Sequence, residues 1–106
     1  MSTPSAIEAL RELVREREWE QFHSPAHLAQ SISIEAGELL ECFQWSAQPT
    51  EARIREELAD VLSYCLLLAD HLGTSVDELV LAKLTLTAQK YPVEAARGRS
   101  TKYDVL

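Results

Sequence analysis

Glycine occurs only three times and proline four times in 106 residues, and no stretch is rich in either or in serine. A chain with so few breakers offers no linker at which to divide into two cores, so one domain over residues 1–106 is expected. Aromatic residues are scarce at 7%, against 46% hydrophobic residues. The core must therefore be aliphatic, and a monomer of this size is only marginally able to bury it. Cations are also short: 10 Lys and Arg stand against 17 Asp and Glu, a net charge of −7. That deficit excludes a protein that coats polymeric nucleic acid, because such binding rests on basic side chains neutralising phosphates. A small anionic ligand stays compatible where local cations or a bound metal invert the field. Cysteine appears only as Cys42 and Cys65. With no signal peptide read at the amino terminus, reduced thiols and a cytoplasmic location are expected. The richest apolar stretch, Val61 to Ala69, falls well short of the ~20 residues that cross a bilayer, so no membrane partner is expected.

What is present is helical periodicity. Apolar residues recur at steps of three and four and do not alternate, which predicts an all-α fold, a four-helix bundle followed by a tail. The first helix is expected from Ser5 to Trp19, with Ile7, Leu10, Leu13 or Val14, and Arg17 or Glu18 along one face. Ser24 before Pro25 is a helix start, since serine caps free amides and proline gives up an amide that has no partner. That predicts a second helix over 25–44. Trp45 to Pro49 interrupts it, and Thr50 is the expected cap of a third helix ending at His71 or Leu72, where Gly73 turns left-handed. Ser75 with Glu78 forms a capping box for a fourth helix that lasts to Lys90 and is closed by Tyr91 and Pro92. Residues 93–106, with Arg97, Arg99 and Lys102, read as a mobile basic tail. Helix three is apolar on more faces than one bundle can cover, which predicts completion by oligomerisation, as a homotetramer built from two dimers.

Four carboxylates do not fit this pattern. Leu28, Ile32, Leu39 and Phe43 trace a stripe on helix two, and Glu35 lies on it with Glu38 beside it. Carboxylates three residues apart sit about 5 to 6 Å from each other on a helix and repel. On helix three, Glu57 and Asp60 repeat the spacing and lead into Val61, Leu62, Cys65 and Leu66. An unpaired charge in such surroundings costs several kcal/mol, on the order of the stability of a small domain. If the two helices pack antiparallel, the two pairs converge, and oxygen ligands without histidine or thiolate select Mg²⁺, with Mn²⁺ as a substitute. Gly37 would let another backbone come close. The plain alternative is a solvated acidic face, the reading given to Glu41 and Glu56. A ferritin-like di-iron centre needs two Glu-x-x-His pairs, and only Glu20 with His23 matches.

With Glu35-Ala-Gly-Glu38-Leu-Leu-Glu41 and Glu56-Glu57-Leu-Ala-Asp60-Val-Leu in view, the chain resembles the MazG-like, all-α nucleotide pyrophosphohydrolases, nearest to their dCTP pyrophosphatase branch. Arg17-Glu-Trp19-Glu-Gln-Phe22-His23, Phe43-Gln44-Trp45, Tyr64, and Lys83 through Tyr91-Pro92 extend the match. The resemblance implies that Glu35, Glu38, Glu57 and Asp60 bind magnesium. It also implies that Trp19, His23 and Trp45 surround the base, with Tyr64 beside the metal helix. Without it, the two tryptophans read as helix-end packing and His23 as a solvated loop residue. Where the branch shows Lys-x-x-x-Asn-x-x-Arg-Tyr-Pro, this chain has Thr87 and Lys90 in place of the amide and the guanidinium. Lys83, Thr87 and Lys90 share one helical face, which is either turned to phosphate or simply solvated, and lysine offers a point charge where arginine offers a planar fork.

The implied activity is hydrolysis of a nucleoside triphosphate, dCTP or a modified dCTP, to its monophosphate and pyrophosphate, with Glu38 orienting or deprotonating the water. Two rival readings are a broad housecleaning pyrophosphatase for damaged nucleotides and a non-catalytic helical module that recognises a basic partner.

Overall fold

The computed structural model describes residues 3–45 and 48–105; Ser46 and Ala47, within the expected interruption after helix two, lie outside the described residues. Every regular element among the described residues is helical. The chain forms two compact units, residues 1–74 and 75–106.

In the first unit, α1 runs Ala6–Glu16, capped by Ser5, whose hydroxyl accepts from the Glu8 N–H. The expected extension to Trp19 does not form. Glu18 takes a left-handed conformation at φ 55°, which costs a non-glycine residue energy and breaks the helix, and Trp19–Phe22 is a separate 3-10 turn. Ser24 then starts α2, Pro25–Gln44, by accepting from the His27 N–H, with proline at the first position. α3 spans Glu51–His71 with Thr50 at its cap, but the threonine side chain makes no capping bond. Gly73 adopts φ 76° just past its end, the conformation that glycine takes at no steric cost.

α2 packs along α3, and α1 packs against α3. Among the described residues the buried apolar ones are few: Val14 of α1, Leu28 and Cys42 of α2, and Ala69 of α3. The expected stripe on α2 is therefore buried at Leu28 but not at Phe43, which is 49% exposed; Cys42 is buried in its stead. Ile34, Leu40, Leu58 and Leu62 remain exposed.

In the second unit, α4 is Val76–Lys90, and Ser75 accepts from the Glu78 N–H as the capping box requires. The stretch read as a tail contains a short helix, α5, Val93–Ala96, and a 3-10 turn, Tyr103–Val105. Leu79, Val80, Leu81, Leu84 and Leu86 of α4 are all exposed. No helix among the described residues is long and apolar enough to cross a membrane.

Candidate metal centre and active site

The packing of α2 on α3 brings Glu35 and Glu38 against Glu57 and Asp60. One carboxylate oxygen from each of the four lies within 4.8 Å of the others. Glu35 and Glu57 are half-buried, while Asp60 is exposed. Two oxygens, Oε2 of Glu35 and Oε2 of Glu57, are buried without a hydrogen-bond partner. Buried polar atoms in native proteins are nearly always satisfied, so an orphaned pair aimed into one cluster calls for a missing partner. Oxygen donors alone, converging at this spacing, fit a hard divalent cation.

The electrostatics carry the same mark. Burial, then hydrogen bonding to Glu38, then the charges of Glu38, Asp60 and Glu57, raise the Glu35 carboxyl above the ordinary glutamate range. Glu57 is also raised, by burial first and by the charges of Glu38 and Asp60 next, with Arg53 giving a small offset. Among the described residues, no cation forms an ion pair with any of the four. Glu41 and Glu56 are exposed, as expected of solvated carboxylates. The role expected for Gly37 is not seen, since a Cβ added there meets nothing within 4 Å.

Of the other expected site residues, Tyr64 is half-buried on α3, one turn beyond Asp60. Trp19 opens the 3-10 turn before α2, 45% exposed, with the Arg17 guanidinium 5.8 Å from its ring centroid. Trp45 caps the other end of α2 and is 85% exposed. The 20 residues of α2 separate them, a span of about 30 Å at 1.5 Å per residue. One chain therefore does not bring both indoles over a single base. Lys83, Thr87 and Lys90 lie on α4 in the second unit; Thr87 is half-buried and both lysines are exposed.

His23 lines a cavity of about 700 Å³ together with the apolar Val14, Leu28 and Leu67 and the charged Arg11, Arg15 and Asp70 among others. Among these lining residues, Arg11 Nε donates to Asp70 Oδ1 at 3.1 Å and Oδ2 at 3.0 Å, and its Nη2 also reaches Oδ1. Sequence reasoning missed this ion pair, because its partners are 59 residues apart and no local pattern joins them.

A model of the MazG-like family matches residues 30–106, a span that includes all four carboxylates and leaves out Trp19 and His23. The chain is similar to dCTP pyrophosphatase 1 of Rattus norvegicus, 40% identical over 102 residues, which are 87% of this chain and 60% of that protein. The Homo sapiens protein of the same name is 39% identical over 105 residues, 90% of this chain and 62% of its own length. The chain thus spans about 60% of the length of the curated relatives it matches. A pyrophosphatase from Archaeoglobus fulgidus, seen in a crystal structure, matches with a TM-score of 0.73 and 36% identity, over 87% of this chain and 97% of that one.

Proposed function

The chain belongs to the MazG-like family, and on that premise we propose that it hydrolyses a nucleoside triphosphate, dCTP or a modified dCTP first, to the monophosphate and pyrophosphate. The observation that carries this reading is the cluster of four carboxylates with two orphaned buried oxygens. The names of its relatives support the reaction class and the base.

Glu35, Glu38, Glu57 and Asp60 would hold Mg²⁺, with Mn²⁺ as a substitute. When bound, the ion supplies positive charge to the phosphate oxygens. The chain's own groups do the rest. Glu38 orients a water and accepts its proton as the water oxygen bonds to the α-phosphorus; the bond from that phosphorus to the bridging oxygen breaks, and pyrophosphate leaves. Trp19, His23 and Trp45 enclose the base, with Tyr64 beside the carboxylates, and stacking on an aromatic ring contributes about 1 to 3 kcal/mol per base.

Because the two indoles sit at opposite ends of α2, the pocket takes Trp19 from one chain and Trp45 from another. A homo-oligomer, a tetramer of two dimers in a four-helix-bundle arrangement, would also cover the exposed apolar faces of α3 and α4. Light scattering should then give a multiple of the 11.9 kDa chain mass; a monodisperse monomer at micromolar concentration rules the shared pocket out. We place the protein in the cytoplasm, with neither polymeric nucleic acid nor membrane as a partner.

A panel of triphosphates assayed for released pyrophosphate tests the substrate. dCTP and 5-modified dCTP should lead, and Trp45→Ala should raise KM for dCTP while leaving metal affinity intact. Equal or better cleavage of purine triphosphates would replace this reading with a broad housecleaning activity. No cleavage of any, with no response to Mg²⁺, would favour a non-catalytic module.

A further inference from the structure

The first turns of α3 carry two arginines in different circumstances. Arg55 donates to Glu51 Oε1 from Nε at 3.0 Å and from Nη2 at 2.8 Å. In that pair the carboxylate lies one turn nearer the amino terminus, the order a helix favours. Arg53 has a carboxylate one turn along as well, Glu57, but in the reverse and weaker order. Among the described residues Arg53 forms no ion pair, and it is exposed. As the third residue of α3, it also stands at the end of the helix where the dipole disfavours a cation. Helix stability alone gives no reason for a guanidinium there. What lies beside it is the carboxylate cluster. Residues one turn apart on a helix sit about 5 to 6 Å from each other, so Arg53 shares the face of α3 that carries Glu57 to Glu35, Glu38 and Asp60. Its charge is felt at the Glu57 carboxyl.

A nucleoside triphosphate carries several negative charges, and the centre that would receive it is built from four carboxylates. One divalent ion leaves that centre negative, and like charges at close range repel. Binding therefore calls for a fixed cation beside the cluster whose donors no carboxylate engages. A guanidinium suits this place, since it keeps its charge and its planar fork matches two phosphate oxygens. We propose that Arg53 binds the phosphate chain of the triphosphate, from the face of α3 that it shares with Glu57. Every residue this uses lies in the first unit, residues 1–74. The proposal rests on the enzymatic reading above, and it adds a binding residue to which that reading gave no role.

The test compares Arg53→Gln, Arg53→Lys and, as a control, Arg55→Gln in the full chain with Mg²⁺. Steady-state kinetics on dCTP are read beside calorimetric titration of α,β-imido-dCTP, an analogue that is not cleaved at the α-phosphorus. Arg53→Gln should lower kcat/KM and weaken analogue binding, each about 10-fold, the loss expected of a charge-assisted hydrogen bond. Arg53→Lys keeps the charge without the fork and should fall between Arg53→Gln and the parent. Arg55→Gln should match the parent. Without nucleotide, Mg²⁺ should raise the melting temperature of Arg53→Gln at least as much as that of the parent, because all four carboxylates remain. Parent-like analogue affinity in Arg53→Gln overturns the proposal and leaves the enzymatic reading standing. So does an equal loss in Arg55→Gln, which would mark a diffuse field of surface charge. A lost Mg²⁺ response in Arg53→Gln also overturns it, by showing that the arginine acts through the carboxylates. Should Arg53→Gln lose its helical circular dichroism, Arg53→Lys decides alone: weakened analogue binding supports the proposal and parent affinity overturns it. Absence of turnover in the parent protein would defeat the enzymatic reading, and absence of analogue binding there would defeat the proposal with it.

Discussion

Asp70, near the end of α3, takes hydrogen bonds from the Arg11 guanidinium of α1, whereas Asp60, earlier on the same helix, stands with three other carboxylates and, among the described residues, forms no ion pair. The two places treat charge in opposite ways. Arg11, first by hydrogen bonding and also by its charge, holds Asp70 below the ordinary aspartate range despite some opposing burial. At the cluster, burial and like charges raise Glu35 and Glu57. A protein that needed only to fold would pair or neutralise the second set as it pairs the first, since breaking a buried charge's partnership costs several kcal/mol. The contrast separates an aspartate whose charge is answered by an arginine of α1 from four carboxylates that, among the described residues, no cation pairs; a cation from outside, as proposed above, would remove the difference.

The largest expected effect that sharpens this contrast is on chemistry. Glu38→Gln removes the proposed proton acceptor, a role generally worth about 10²- to 10⁴-fold in rate. kcat should fall on that scale while circular dichroism stays helical. A variant that keeps the parent kcat would return Glu38 to the ordinary surface carboxylates.

A smaller effect, with a sign that differs between the two places, is the pH dependence of stability in EDTA. Glu35 and Glu57 bind protons more tightly folded than unfolded. Their contribution therefore falls as pH rises from the ordinary glutamate value through the raised folded value. Asp70 binds its proton less tightly when folded. Its contribution is complete above the ordinary aspartate value and is lost as pH falls through the lowered one. Urea midpoints followed across this range should show the first trend weakened in Glu35→Gln, where Glu57 still carries its share, and the second lost in Asp70→Asn. Two variants moving the midpoint in the same direction at every pH would break the comparison. The smallest effect belongs to Arg11→Ala, because exposed ion pairs contribute little: a slight drop in melting temperature, read by calorimetry, and no loss of the response to Mg²⁺.

The parts legible in the sequence were those written locally. Ser24 with Pro25, Gly73, and Ser75 with Glu78 mark helix ends through bonds and dihedrals within a few residues, and α2, α3 and α4 begin or end where those signals stand. The convergence of Glu35, Glu38, Glu57 and Asp60 was legible because two i, i+3 pairs on consecutive helices need only an antiparallel turn to meet. What the pattern hid depended on tertiary contact. The end of α1 was set by the left-handed Glu18 and the turn after it, not by the run of helix-favouring residues. The burial of Cys42 in place of Phe43 reflects which side of α2 meets α3. The Arg11–Asp70 pair and the contact of Lys90 with Tyr103 join positions that no spacing rule connects.

The central claim is that the four carboxylates are held apart from counter-charges in order to take a divalent cation. The most direct measurement is the melting temperature of metal-free protein titrated with Mg²⁺, in parallel for the parent and Glu57→Gln. Binding to the folded state alone adds about 2.7 kcal/mol at a hundredfold excess over Kd, and each kcal/mol is worth roughly 4 to 8 °C in a domain of this size. The account predicts a rise on the order of 10 °C in the parent, largely abolished in Glu57→Gln. A parent melting temperature unmoved by millimolar Mg²⁺, or an equal rise in Glu57→Gln, would contradict it.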